Sequence, residues 1–318
     1  MEGIILALNS RIRAILKAVT QLEVVDVRKT YKAERRFELL TARLRGKPSD
    51  YKICDHHVIC DDHYVPVRIF SPCGNGPFPA LLFFHGGGWV TGGIENYTGV
   101  CVDLAKATNH VVACIDYRLA PEYRFPAAPE DCYAAAREAF AGHIPGISPN
   151  DITLIGDSAG GNLAAAVSLM ARDRKSFSPK QQILLYPATF NDHSESSPFL
   201  SIKENGTDYL LTAKRVQEFM KLYSSSEDDF YNPYFAPLLE IDLTNQPRTL
   251  IISAEFCPLR DEGEYFGRML REAGNDVSIY RMKDALHAFM MLPPTFDQVQ
   301  LAYQVINNFL IQKGLGND

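Results

Sequence analysis

The sequence of 318 residues predicts an α/β fold, in which a mostly parallel sheet is covered by helices on both faces. Two observations lead to this prediction. From residue 78 onward, short apolar runs of strand length alternate with longer segments of helical periodicity. The apolar runs lack the in–out alternation of a half-exposed strand, which is typical of strands buried on both faces. The reactive residues of such a sheet are expected beyond the carboxyl ends of its strands.

The individual elements are predicted from the same apolar runs and helical periodicity. The predicted strands are 80–84, 111–117, 152–156, 182–187, 249–255 and 277–282, and the predicted helices are 96–107, 129–140, 159–172, 261–273 and 296–312. A hairpin comes before them, with strands near 57–60 and 64–70 on either side of Asp61 and Asp62. Residues 1–45 are predicted to form two helices, Ile4 to Val19 and Ala33 to Leu44.

The strand–helix rhythm is interrupted between about residues 190 and 245. Polar clusters there flank one predicted helix, Thr212 to Tyr223, which indicates an insertion over the carboxyl edge of the sheet. We predict that residues 1–45 and this insertion form a helical cap on a catalytic domain of residues 46–318. Apolar side chains of the insertion could line a substrate cavity or pack as ordinary core: Tyr209, Leu210, Phe219, Phe230 and Phe235.

A Gly-x-Ser-x-Gly motif surrounds Ser158, between the apolar run at 152–155 and a helical pattern. A sharp turn between strand and helix presents a serine hydroxyl as a nucleophile, and Gly156 and Gly160 let the two elements pass closely. Upstream, three successive glycines follow His85 at the end of another predicted strand. Such a loop can aim backbone N–H groups at one oxygen, as acyl transfer requires, and the N–H of Ala159 would add a further donor.

Five motifs occur in one order: residues 85–89, 116–122, 156–161, 258–263 and 286–289. Together they resemble the hormone-sensitive-lipase family of α/β-hydrolases, the group of bacterial carboxylesterases and acetyl esterases. The resemblance runs from about Asp55 to the C-terminus. It implies the α/β-hydrolase fold and a serine carboxylesterase (EC 3.1.1 type) acting on short-chain acyl esters. It also implies Ser158 as nucleophile, His287 as base, and Gly87, Gly88 and Ala159 as the oxyanion hole.

One position departs from the pattern of that family. The aspartate expected as the triad acid is Cys257, and a thiol is mostly neutral at pH 7 and accepts hydrogen bonds poorly. Either another carboxylate replaces it, or the enzyme works as a Ser–His dyad, or its activity is low. Glu255 is our preferred substitute, because its longer side chain could make up the offset of two residues. Asp261 and Asp284 are the alternatives.

Composition narrows the function further. A net charge of −6 without a basic patch argues against nucleic acid, and no apolar run is long enough to span a membrane. Seven scattered cysteines and a start without a signal-peptide pattern indicate a cytoplasmic protein. The expected partner is a small ester, no cofactor is required, and homo-oligomerisation is left open.

Four alternatives accompany this interpretation. The stretch 54–63 is rich in Cys, His and Asp, but alternate side chains of a hairpin point apart, so we predict no metal site there. His85 is expected to brace the glycine loop rather than to act in catalysis. Because of Cys257, a non-catalytic ligand-binding homologue is an alternative function, and an acyltransferase that excludes water is another.

Overall fold

The computed structural model describes residues 26–44, 51–72, 78–207 and 209–311. Within these ranges the strands are β1 (Lys52–Ile59), β2 (Tyr64–Ser71), β3 (Ala80–Phe84), β4 (Val111–Ile115), β5 (Ile152–Asp157), β6 (Gln181–Leu185), β7 (Arg248–Phe256) and β8 (Val277–Leu286). The helices are α1 (Val27–Leu44), α2 (Ile94–Thr108), α3 (Ala127–Phe140), α4 (Ala159–Arg174), α5 (Leu200–Asn205), α6 (Ala213–Tyr223), α7 (Arg260–Glu272) and α8 (Asp297–Ile311). The predicted helix Ile4 to Val19 lies outside the described residues.

All of these strands form one sheet in the order β1-β2-β4-β3-β5-β6-β7-β8. The antiparallel pairs are β1 with β2 and β2 with β4, and the remaining neighbours run parallel. Strands β3 and β4 are buried along their whole length, which is why their sequences are continuous apolar runs. The predicted α/β fold with a mostly parallel sheet is therefore confirmed, and the predicted hairpin is β1–β2.

Strand β5 passes directly into helix α4 at Ser158. A side chain on Gly160 would place its Cβ 1.9 Å from the carbonyl oxygen of Phe84, and one on Gly156 would lie 2.2 Å from the carbonyl oxygen of Gly160. Neither contact is sterically allowed, so the crossing of β5, β3 and α4 requires both glycines. This crossing fixes where the serine emerges from the sheet.

The insertion between β6 and β7 holds the predicted helix, observed as α6, and the short helix α5, which the sequence did not predict. Helix α6 is joined to α1 by an ion pair between Arg215 and Glu34, 2.5 Å apart. The carboxylate of Glu218 also accepts a hydrogen bond from the backbone N–H of Val27 at 3.1 Å. These contacts support our assignment of both segments to one cap.

Candidate active site

Ser158 and His287 meet at the carboxyl edge of the sheet. Ser158 has φ 55° and ψ −118°, a conformation that costs a non-glycine residue about 1–3 kcal/mol and is held by its surroundings. Its backbone N–H donates to the carbonyl of Leu185 at 2.8 Å, and its Oγ lies 2.9 Å from Nε2 of His287. The pair has the spacing of a hydrogen-bonded nucleophile and base.

The loop after β3, residues 85–93, carries the predicted oxyanion donors. Gly87 and Gly88 have φ of 112° and 60°, which turns successive peptide planes in a way that L side chains rarely allow. Among the described residues, no hydrogen bond uses the backbone N–H of Gly87 or Gly88. Ala159 is the first residue of α4, so its N–H has no partner within that helix.

Two buried side chains brace this loop. Nδ1 of His85 is 2.8 Å from the carbonyl of Gly86, and its ring stacks on Tyr117 with ring centres 4.2 Å apart. The carboxylate of Asp157 accepts from the N–H of Gly86 at 2.8 Å and from the hydroxyl of Tyr97 at 3.0 Å. Burial raises the pKa of Asp157 to about 7. His85 thus has the bracing role predicted from the sequence, whereas the role of Asp157 was not foreseen.

The group at Nδ1 of His287 is the thiol of Cys257. Its Sγ lies 3.1 Å from Nδ1, is fully buried, and also accepts from the backbone N–H of Leu259 at 3.4 Å. The sulfur therefore accepts one backbone N–H and lies within hydrogen-bond distance of Nδ1, whose donor or acceptor role depends on the tautomer of His287. Burial raises the pKa of the Cys257 thiol, which keeps it neutral.

Glu255, our preferred acid, does not reach His287. One residue of β7, Glu255, stands opposite three of β8, Lys283 to Ala285, because the strand register shifts there. Such an irregularity leaves backbone groups without a ladder partner. The carboxylate of Glu255 accepts from the N–H of Asp284 at 2.8 Å and so satisfies one of them. The structure thus places Cys257, and not Glu255, beside His287.

The two alternative acids are also placed elsewhere. The carboxylate of Asp261 accepts from the N–H of Ser201 at 2.7 Å and from Nε of Arg260 at 2.8 Å. Asp284 contributes its backbone N–H and carbonyl, rather than its carboxylate, to the hydrogen bonds of the described residues. No carboxylate of the described residues is hydrogen-bonded to His287.

The imidazole of His287 is consequently in an uncharged environment. Burial lowers the pKa of His287 to about 3, with no opposing attraction from a neighbouring anion. The ring is neutral at pH 7, and donation from Nδ1–H to the sulfur would leave the Nε2 lone pair free for the proton of Ser158. What this site lacks, relative to a triad with aspartate, is a charge that stabilises the imidazolium.

Three candidate metal ligands of the β1–β2 hairpin form ion pairs instead. Asp55 pairs with Arg68 at 2.6 Å, and His63 lies between Asp62 and Asp131. Within the described ranges, no three His, Cys, Asp or Glu side chains come together in a way that could hold an ion.

The chain is similar to known α/β-hydrolases and esterases. A family model of the α/β-hydrolase fold matches residues 81–291. The chain is 34% identical to an arylesterase of Saccharolobus solfataricus over 92% of its own length and 95% of the relative's. It is 34% identical to an ethyl acetate hydrolase of Pseudomonas putida, over 82% and 83% of the two chains.

The chain belongs to the hormone-sensitive-lipase family of α/β-hydrolases. A solved esterase of Pyrobaculum calidifontis superposes on it with a TM-score of 0.84 at 33% identity, covering 95% of this chain and 98% of that one. Family membership makes Cys257 the unusual feature of the site, because the resemblance led us to expect an aspartate there. None of the helices in the part of the chain that the structure describes is long and apolar enough to cross a bilayer.

Proposed function

We propose that this protein is a serine carboxylesterase that hydrolyses short-chain acyl esters through an acyl-enzyme on Ser158. The observation that carries the proposal is the 2.9 Å contact between Ser158 Oγ and His287 Nε2 at the strained turn after β5. The unused N–H groups beside it supply the second requirement of acyl transfer. The ester hydrolase names of the family relatives support the same reaction class.

In the proposed first step, His287 Nε2 removes the proton of Ser158 as Oγ attacks the ester carbonyl carbon. The carbonyl oxygen becomes an oxyanion that accepts hydrogen bonds from the N–H groups of Gly87, Gly88 and Ala159. When the C–O bond to the alcohol breaks, Nε2 returns the proton to the leaving oxygen. Water then attacks the acyl-enzyme with the same base, which releases the acid and restores Ser158.

The substrate preference rests on the family resemblance and on Phe219. The ring of Phe219 from α6 lies so close to Gly88 that a Cβ there would be 2.5 Å from it. This aromatic wall beside an oxyanion donor limits the space for the acyl or alcohol group. We expect turnover of p-nitrophenyl acetate and butyrate to exceed that of octanoate and palmitate, and a maximum at palmitate would contradict the proposed preference.

A fluorophosphonate probe tests the mechanism directly, because it forms a covalent bond only with an activated nucleophile. Labelling of the wild-type protein and loss of labelling in Ser158→Ala are expected. A folded wild-type protein that is not labelled and hydrolyses no ester would instead favour the ligand-binding alternative. Product analysis with added alcohols separates hydrolysis from acyl transfer.

We also propose that the protein is located in the cytoplasm. The six described cysteines are all free, as expected for a protein of a reducing compartment such as the cytoplasm.

A further inference from the structure

The loop that carries the oxyanion donors is conformationally demanding. Besides its glycines, it contains Trp89 with φ 59°, a left-handed conformation that a bulky side chain adopts only where its surroundings enforce it. Within the loop, the carbonyl of Gly87 accepts from the N–H groups of Val90 and Thr91 at 3.1 and 2.8 Å. These local bonds close the turn, but they do not fix its position against the rest of the site.

Helix α1 supplies contacts that fix this position. Nε of Arg35 donates to the carbonyl of Val90 at 2.6 Å, and its Nη2 donates to the carbonyl of Ala120 at 2.7 Å. The same guanidinium pairs with Glu122 at 3.0 Å. The loop and the segment around residue 120 are also bonded directly, from the N–H of Ala120 to the carbonyl of Trp89. Arg35 therefore ties two loops together from one side chain.

Glu38 lies one turn further along α1 and holds the other end of the loop. Its carboxylate accepts from the backbone N–H of Gly92 at 3.1 Å. Burial raises the pKa of Glu38, whose side chain is half-buried at this contact. Gly92 has φ 89°, a conformation that glycine adopts readily and that other residues rarely adopt.

We propose that Arg35 and Glu38 are positioning residues of the oxyanion hole, through which docking of helix α1 aligns the donors of the glycine loop. This inference rests on the proposed esterase function. The side chains do not reach the donors themselves. They hold the carbonyl of Val90 and the N–H of Gly92, while the bonds from Val90 and Thr91 to Gly87 carry that restraint to the donor glycines.

The same contacts couple the loop to the cap. Helix α1 is bonded to α6 by Arg215 with Glu34 and by Glu218 with Val27, and α6 places Phe219 against Gly88. The residues of α1 that contact the loop and those that contact α6 belong to the same helix. Any displacement of α1 with the cap would move Val90 and Gly92, and with them the oxyanion donors.

The test compares Arg35→Ala with Arg36→Ala, an exposed arginine on the same helix that has no hydrogen bond or ion pair with another described residue. Because small misplacements of catalytic groups cost up to about a hundredfold, we expect Arg35→Ala to lower kcat about tenfold with KM changed less than about twofold. A short alkyl trifluoromethyl ketone, whose adduct with Ser158 places an oxyanion in the hole, should bind Arg35→Ala about tenfold more weakly. The matching methyl ketone should bind equally to both.

Two substitutions of Glu38 provide an independent test. Glu38→Gln keeps an acceptor for the N–H of Gly92, whereas Glu38→Ala removes it, so the alanine variant should lose kcat severalfold more than the glutamine variant. This pair decides the question if Arg35→Ala does not fold. Unchanged kcat in folded Arg35→Ala, equal activity of the Glu38 pair, or equal weakening of both ketones would overturn the inference.

Ser158→Ala is assayed in parallel, so that failure of the esterase proposal is recognised separately. A serine variant that retains activity refutes the proposed function itself. An inactive serine variant beside fully active Arg35 and Glu38 variants refutes only the positioning role.

Discussion

The two halves of the candidate site are built by different means. The proposed nucleophile and oxyanion donors are positioned by the backbone: Gly156 and Gly160 allow β5, β3 and α4 to cross, and glycines at positive φ shape the donor loop. The partner of the base is fixed by one side chain at the end of β7, Cys257. A backbone device requires several residues at once, whereas a side-chain device can change with one substitution. Cys257, which departs from the family pattern, lies in the half of the site that a single substitution can change.

The largest loss of activity is expected in the half of the site that the backbone positions. Replacing Ser158 with alanine removes the nucleophile and should lower hydrolysis of p-nitrophenyl acetate by about three decades or more. The variant should remain folded, because an alanine fits wherever the serine does. Retention of more than about a tenth of the activity would reject Ser158 as the nucleophile.

Gly88→Ala tests the oxyanion loop. The new Cβ would lie 2.5 Å from the ring of Phe219, at a φ of 60° that alanine disfavours, so the loop must shift. We expect kcat to fall by about a hundredfold, the loss typical of one oxyanion donor. Gly99→Ala is the matched control. Gly99 is exposed on α2, nothing lies within 4 Å of its added Cβ, and the change should raise helix stability by about 0.5–1 kcal/mol with activity unchanged. Equal kcat in the two variants would contradict the loop's role.

Cys257→Asp tests the half built from a side chain. A carboxylate at Nδ1 would stabilise the imidazolium that a neutral thiol leaves unsupported, so kcat at pH 8 should rise about tenfold or more. Cys257→Ala removes the acceptor and should lower kcat, whereas Cys257→Ser keeps one and should lie between alanine and wild type. Comparison of thermal stability separates these effects from loss of folding.

The pH dependence of kcat/KM also distinguishes the wild type from Cys257→Asp. Activity requires neutral His287, so kcat/KM falls as the pH drops through the pKa of the base. With that pKa lowered to about 3, the acid limb of the wild type should lie well below the usual value for histidine. An aspartate would raise the pKa of the imidazole and move the limb toward neutral pH. An unchanged limb in Cys257→Asp would show that the new carboxylate does not meet His287.

The sequence predicted the parallel sheet closely because buried strands are continuous apolar runs, and β3 begins and ends where the apolar run does. Ser158 was predicted from a glycine-flanked motif between a strand and a helix, and His287 was predicted from the family resemblance, because both lie in short motifs that can be read along the chain. The position of Glu255 could not be predicted. It depends on the register shift between β7 and β8, which arises from pairing with a strand that is distant in sequence. Sequence separation likewise hid Arg35 and Glu38, whose partners lie on loops 50 or more residues away.

Glu255→Gln is expected to have the smallest effect, and it tests the hypothesis that the sequence favoured. If Glu255 oriented His287, loss of its charge would cost several decades in rate, as the loss of a triad carboxylate does. In the structure its carboxylate accepts from the N–H of Asp284, and the amide oxygen of glutamine can accept the same bond. We therefore expect kcat/KM within about threefold of wild type and a loss of stability below about 1 kcal/mol. Glu255→Ala removes the bond and should cost about 1 kcal/mol in the free energy of unfolding, again with little change in rate. A decrease in rate of a hundredfold or more in folded Glu255→Gln would return this carboxylate to the catalytic site and leave Cys257 as a packing residue.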